Sequence, residues 1–154
     1  WRMDETYIKV KGVWMYLYRV VDSAGYTIDF LLRKNRDASA AKAFFGKAIK
    51  HNGSPQKVTI DKSGSNSCAL SSLNKSLAKE KQIEIRQIKY LNNIVEQDHR
   101  FIKKRTKPML GFKSFNSAKI TITGIENIRM IQKGQIIGGN NKPSVFENFA
   151  MLMA

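Results

Sequence analysis

The sequence is short of the residues that staple or anchor a chain. It has one cysteine, Cys68, and no Cys-x-x-Cys pair or Cys/His cluster, which excludes an internal disulfide and a structural zinc site. No apolar run approaches the ~18 residues that a membrane-spanning helix needs. No basic, apolar and then small-residue series of the signal-peptide type opens the chain, and with a single cysteine a reducing cytoplasm is the expected setting. Acids are scarce too: 12 Asp and Glu stand against 27 Lys and Arg, a net charge of +15.

What is present is enough for one ordinary domain. A chain of 154 residues with 42% apolar content can bury roughly 70% of its unfolded surface, which argues against disorder. A pI near 10.1 points to a polyanionic partner. Nucleic acid fits best, because neutralised phosphates release counterions; an acidic membrane surface is the competing reading. A strand-like pattern begins at once at Trp1, and we expect a piece of a longer protein.

Residues 3–10 (MDETYIKV) and 14–21 (WMYLYRVV) are rich in aromatic and β-branched side chains and flank a Lys11-Gly12 turn. A second turn at Ser23 to Gly25 and a third strand from Thr27 to Leu32 complete a meander. The period then changes. Behind Asp37, a suitable N-cap, Ala41, Phe45, Ala48 and Ile49 share a helical face that Gly53 and Pro55 end. Lys57 to Ile60 predicts a fourth strand delivering Asp61 at its C-terminal end; Leu70, Leu73 and Leu77 mark a helix, and Glu84 to Ile88 a fifth strand. Helices are predicted over about 93–106, stopping before Pro108, and over about 116–133, followed by a loop (GGNNKPS) and a short apolar end with no assigned role. Antiparallel hairpins followed by strand–helix–strand crossovers predict an α/β fold with a mixed five-stranded sheet flanked by helices. This is the order of the ribonuclease H-like fold, and order alone leaves other α/β folds open.

A basic protein that performs chemistry on nucleic acid recruits hard divalent cations, held by carboxylates converging from separate elements. Asp4 breaks an otherwise good strand, which suits either a functional acid or an edge residue facing water. Asp61 ends a strand at the edge where α/β sheets place their sites, yet it also suits a turn. Glu96 lies in a first helical turn, where the helix dipole alone favours an acid. Singly, none is decisive. Asp22, Asp29, Asp37, Glu80, Glu84 and Glu126 read as turn, cap or solvated-face residues; Glu5 should leave the strand opposite Asp4, and Asp98 should face away from Glu96. Glu96, Arg100, Lys103 and Lys107 share one helical face, and from His99 to Lys119 there are seven Lys or Arg and no acid. Lys62 and Lys89 lie close in sequence to proposed site elements. His99 suits either the border of a site or a surface position, Trp14 the core rather than a base-stacking platform, and Cys68 a buried place on the second helix.

The stretches WRMDETYIKVKG, YLYRVVDSAG, DFLLRKNRD, IDKSGSN, YLNNIVEQDHRFIKKRTKPMLGFKSFNSA and GIENIRMIQKGQ resemble the DDE transposases of bacterial insertion sequences, most closely the insertion-sequence-six family. The resemblance covers about residues 1–136 as an integrase-like catalytic core, with residues 137–154 as a tail and the family's N-terminal helix-turn-helix region absent. It implies that Asp4, Asp61 and Glu96, the last two with 34 residues between them, are the catalytic acids and hold two Mg²⁺ (or Mn²⁺) ions, Asp4 bridging both. It implies cleavage of DNA at element ends and strand transfer into target DNA, by at least a dimer on nucleoid DNA. Lys62, Lys89, Arg100, Lys103, Lys104, Arg105, Lys107 and Lys113 are then the expected DNA contacts. Two alternatives remain at this point: a nuclease of the same fold that cuts without joining, and a truncated basic DNA-binding remnant.

Overall fold

The computed structural model describes residues 1–88, 92–136 and 144–153. Its centre is a five-stranded sheet of order β3-β2-β1-β4-β5. β1 (Arg2–Val10) and β2 (Val13–Val21) pair antiparallel along their whole length, from Arg2 opposite Val21 to Val10 opposite Val13. Lys11 and Gly12 both take positive φ, 50° and 78°, the geometry whose twist matches a tight hairpin. β3 (Thr27–Arg33) continues the meander, and the Asp22 side chain organises the turn before it by accepting from the Ala24 and Tyr26 amides.

The two remaining strands are parallel. β4 (Lys57–Ile60) meets β1 only at Arg2 opposite Thr59, whereas β5 (Glu84–Gln87) follows β4 over four residues. Past Arg2 the two central strands therefore part. Along that side β1 has no strand partner among the described residues until Phe112 bridges to Val10.

Helices cover both faces. On one, α1 (Ala38–Asn52) and α2 (Gly64–Asn74) pack Phe44, Phe45, Ala69 and Leu70 against Met3, Tyr18, Val58 and Ile60. On the other, α3 (Asn93–Thr106) and α4 (Phe115–Gln132) pack Ile102, Ala118 and Ile122 against Ile8, Val10 and Leu17. Strand alternation sets this division: Met3 goes one way and Ile8 and Val10 the other. Asp37 caps α1, accepting from the Ala40 amide at 2.7 Å, and Gly53 closes it. Ser114 and Ser117 form a reciprocal cap on α4.

Three expectations need correction. Leu77 lies beyond α2, because Asn74 turns its side-chain amide to the backbone of Ile83 (2.8 Å each way) and the helix stops there; Leu77 still joins the same core. Cys68 is exposed, since Asn66, Ala69 and Leu70 carry the inner face of α2. Trp14 is 55% exposed, because its end of β2 extends beyond the cover of the helices. The apolar chain end is a helix, α5 (Val145–Met153), tied to α4 by Asn148 donating to the Ile131 carbonyl at 3.1 Å. No helix among the described residues is long and apolar enough to cross a membrane.

Candidate active site

The parting of β1 and β4 opens a notch at the centre of the sheet, and acids line it. Arg2 lies opposite Thr59, so two residues on, Asp4 and Asp61 stand side by side at the mouth. Carboxylate oxygens of Asp4, Glu5 and Asp61 lie within 4.8 Å of one another. Asp61 is fixed by the turn into α2: it accepts from the Ser63 amide at 3.0 Å and sits 3.5 Å from the Asn66 side-chain nitrogen.

Glu5 is the member that sequence reading missed. It does leave the strand opposite Asp4, toward α2 and Arg36, as alternation requires. Its carboxylate nevertheless reaches the notch, accepting from Asn66 at 3.1 Å and pairing with Arg36 at 3.4 Å. A side chain with two methylenes can curl round a strand edge wherever no neighbouring strand blocks it, and here none does. Arg36 also pairs with Asp61 at 3.4 Å, so one half-exposed guanidinium serves two acids. Nothing in the sequence around Arg36 singled it out.

Electrostatics set these groups apart. Asp4 is pushed up to about 7, first by burial and then by the negative charge of Glu5, Asp61 and Glu96. Glu5 is also raised, mainly by burial, with Arg36 and Asn66 working against it. Its second oxygen Oε2 is buried without a hydrogen-bond partner. Glu96 is half-buried in the first turn of α3 and acts on Asp4 through its charge, while standing outside the tight three-acid group. An orphaned carboxylate oxygen, a carboxyl raised by burial and negative neighbours and an all-oxygen donor set fit a hard divalent cation.

His99 is not a surface residue. It is 6% exposed, its Nδ1 lies 3.6 Å from an Asp4 oxygen, and burial lowers its pKa to about 3, so it stays neutral beside the acid. One position earlier, Asp98 is buried and ringed by cations: Arg19 and Arg129 at 2.9 Å each, and Lys133 in close contact. Arg19, itself fully buried, also contacts Glu126 of α4. The expectation that Glu126 is a solvated-face residue is thus overturned, because α4 turns it onto the only buried guanidinium of β2. Asp29 is similarly buried and paired, with Lys47 at 2.5 Å.

The basic track is largely where the spacing put it. Arg100, Lys103, Lys104, Lys107 and Lys113 are exposed on and beyond α3, and Lys62 is exposed next to Asp61. Arg105 turns back instead, its guanidinium 3.5 Å from the centre of the Phe101 ring and donating to the Phe101 carbonyl at 3.3 Å. Lys89 lies outside the described residues.

Comparison with known proteins identifies the family and the fold. The family model described as a DDE domain (DDE_Tnp_IS240) matches residues 1–135. The transposase for insertion sequence-like element IS431mec of Staphylococcus aureus strain Mu50 is 46% identical over 133 residues, covering 86% of this chain and 58% of its own length. The transposase for insertion sequence element IS257 in transposon Tn4003 of Staphylococcus aureus matches with the same figures. The chain thus spans 58% of the length of these curated relatives. Among solved structures, the HTLV-2 integrase catalytic core in complex with magnesium, in its dimeric form, superposes with a TM-score of 0.59 at 15% identity, covering 95% of this chain and 91% of that one. Its trimeric form gives 0.55 at 16% identity, over 96% and 93%. That likeness establishes the ribonuclease H-like fold.

Proposed function

The chain belongs to the DDE domain family of insertion-sequence transposases, and we propose that it is the catalytic core of such an enzyme, cutting DNA at element ends and joining the ends to target DNA. The observation that carries the reading is the notch where β1 and β4 part, with Asp4 and Asp61 side by side and Asp4 driven to about 7.

Asp4, Asp61 and Glu96 are the proposed holders of two Mg²⁺ or Mn²⁺ ions, Asp4 shared between them. The chemistry such ions supply is Lewis-acid assistance at the attacking and leaving oxygens of a phosphodiester. The chain does the rest. The raised pKa of Asp4 reflects burial and uncompensated negative charge, and a cation bound there would offset that charge and displace the proton. Arg36, already shared by Glu5 and Asp61, offsets part of their negative charge and leaves Glu5 Oε2 open toward the notch. Neutral His99 fills the space behind Asp4 without competing for the cation. Arg100, Lys103, Lys104, Lys107, Lys113 and Lys62 hold the sugar–phosphate backbone against the notch, which orients the strand without reading its bases. Lys89 is proposed as a further contact on its sequence position alone. Joining two element ends requires at least two copies on the DNA.

The test uses a labelled element end with Mg²⁺, comparing the native chain with Asp4→Asn, Asp61→Asn and Glu96→Gln in cleavage and in joining of a precut end. Loss of both activities in all three variants supports the reading. Full activity in any one removes that residue from the site, and cleavage without joining in the native chain identifies a nuclease instead.

A further inference from the structure

Trp14 lies outside the core, and the reason becomes visible beside the basic track. A cavity of about 640 Å³ lies between the open edge of β1 and the C-terminal end of α3, lined among others by Tyr7, Trp14, Lys103, Lys107, Leu110 and Phe112. It begins two residues along β1 from Glu5, on the side where β1 has no strand partner among the described residues, the same strand edge on which the acid notch opens.

Three features make it unlike an ordinary surface dip. Its aromatic wall is exposed yet held in place: the Tyr7 ring meets Trp14 edge-on at 6.3 Å and 79°, and the Lys9 amine lies 5.8 Å from the indole centre. Tyr7 is 47% and Trp14 55% exposed. Opposite them Leu110 is 91% exposed and adopts φ 54°, a left-handed conformation that a leucine takes only under constraint. The constraint is visible next door. The Phe112 amide donates to the Lys9 carbonyl at 2.9 Å, the Lys11 amide donates back to the Phe112 carbonyl at 2.7 Å, and a Cβ on Gly111 would lie 3.2 Å from the Lys9 oxygen. The strand edge thus grips this segment so closely that Leu110 is turned outward. Finally, every charged residue lining the cavity is a lysine.

We propose that this groove holds an unstacked DNA base, lying against Trp14 and Tyr7, from a strand whose phosphates run along Lys103 and Lys107. The inference rests on the catalytic reading above and extends it. Bases inside a duplex are shielded by their neighbours, whereas every free base offers a flat face to an aromatic side chain. The lysine rim suits the phosphates flanking such a base, and an apolar protein segment would leave those charges unmatched. Its place on the same edge of β1 as the acid notch puts the base near the scissile bond, at a strand end.

The experiment measures binding of the chain, without divalent cation, to fluorescent duplexes that are blunt or carry a few unpaired nucleotides at one end. The native chain is expected to prefer the unpaired end by roughly tenfold. Trp14→Ala removes that preference and leaves blunt-duplex affinity and melting temperature unchanged, Trp14→Phe keeps most of it, and Lys103→Ala weakens both duplexes alike. The proposal is overturned if the native chain shows no preference, if Trp14→Ala retains it, or if that variant weakens both duplexes equally. A change from dimer to monomer in Trp14→Ala with the preference intact also overturns it, in favour of an interface between copies. Loss of the catalytic reading shows separately, as intact cleavage in Asp61→Asn while the base preference persists.

Discussion

Glu96 and Asp98 sit two residues apart on α3, and their surroundings could hardly differ more. Asp98 is 2% exposed and held by Arg19, Arg129 and Lys133. Burial pushes its pKa up, but the Lys133 hydrogen bond, the Arg19 charge and the Arg129 hydrogen bond outweigh it, and the carboxyl ends below its ordinary value. Glu96 instead adds its negative charge to Asp4, whose carboxyl is raised to about 7 by burial and by the charges of Glu5, Asp61 and Glu96. Across the pair of strands the contrast repeats, for Arg19 is the residue of β2 directly opposite Asp4, yet its guanidinium goes to Asp98 and Glu126. Thus one buried layer pairs each of its acids with a cation and fastens β2, α3 and α4 together. The other has a surplus of negative charge in a chain of net charge +15. A surplus maintained amid so many available cations marks a place reserved for a ligand that is itself a cation.

The comparison is broken most severely on the notch side. Asp61→Asn or Glu96→Gln should lower Mg²⁺-dependent cleavage about a thousandfold, the equivalent of the several kcal/mol that a metal ion contributes, with the fold intact by circular dichroism. On the balanced side the loss should be of fold rather than of chemistry. Asp98→Ala leaves Arg19 buried with one partner fewer, and urea unfolding should show about 3–5 kcal/mol of destabilisation.

A smaller effect of opposite sign follows for Asp4→Asn. Without cation the native carboxylate ionises against burial and negative neighbours, so the amide should stabilise the fold at pH 8 by about 3 kcal/mol. Mg²⁺ should raise the melting temperature of the native chain and leave that of Asp4→Asn nearly unmoved.

The pH dependence sharpens this further. Asp4 titrates near 7 against an ordinary 3.8, so its ionisation removes stability as pH rises from about 4 to 7. His99 titrates near 3 against an ordinary 6.5, so the unfolded chain gains the proton first and stability falls as pH drops below 6.5. The two slopes oppose each other between pH 4 and 6.5, with the raised carboxyl of Glu5 adding to the Asp4 side, so the urea midpoint of the cation-free native chain should change less there than that of either variant. Asp4→Asn should reveal a midpoint that falls on acidification, and His99→Asn one that falls as pH rises. The smallest effect belongs to the exposed track: replacing Lys104 by Ala should weaken DNA binding a few-fold and reduce the slope of log affinity against log salt by about one.

Much of this architecture was legible along the chain because it depends on local signals. Period-two stretches, the Lys11-Gly12 turn and the Asp37 cap each act within a few residues, and β1 to β5, α1, α3 and α4 lie within a residue or two of where those signals put them. Helical spacing likewise put Glu96, Arg100, Lys103 and Lys107 on one face. The errors have a common source. Trp14, Cys68 and Glu126 were misjudged, the reach of Glu5 into the notch was missed and His99 was left between two readings, and in each case the outcome depended on what packs against the element from elsewhere. Spacing says which residues share a face, but not whether another helix covers that face or how far a flexible acid can reach round an unpaired edge.

The sequence by itself determined the order of strands and helices, the basic character of the chain and the acids placed at a strand centre, a strand end and a helix start. Only the tertiary structure decided which acids act together. The separation of β1 from β4 after a single paired residue opens the notch that admits Glu5 and strands Asp4 among like charges, while the docking of α4 supplies the cations that settle Asp98. Both are long-range events: electrostatic energy depends on distance and solvent access, and those are fixed by how distant segments meet.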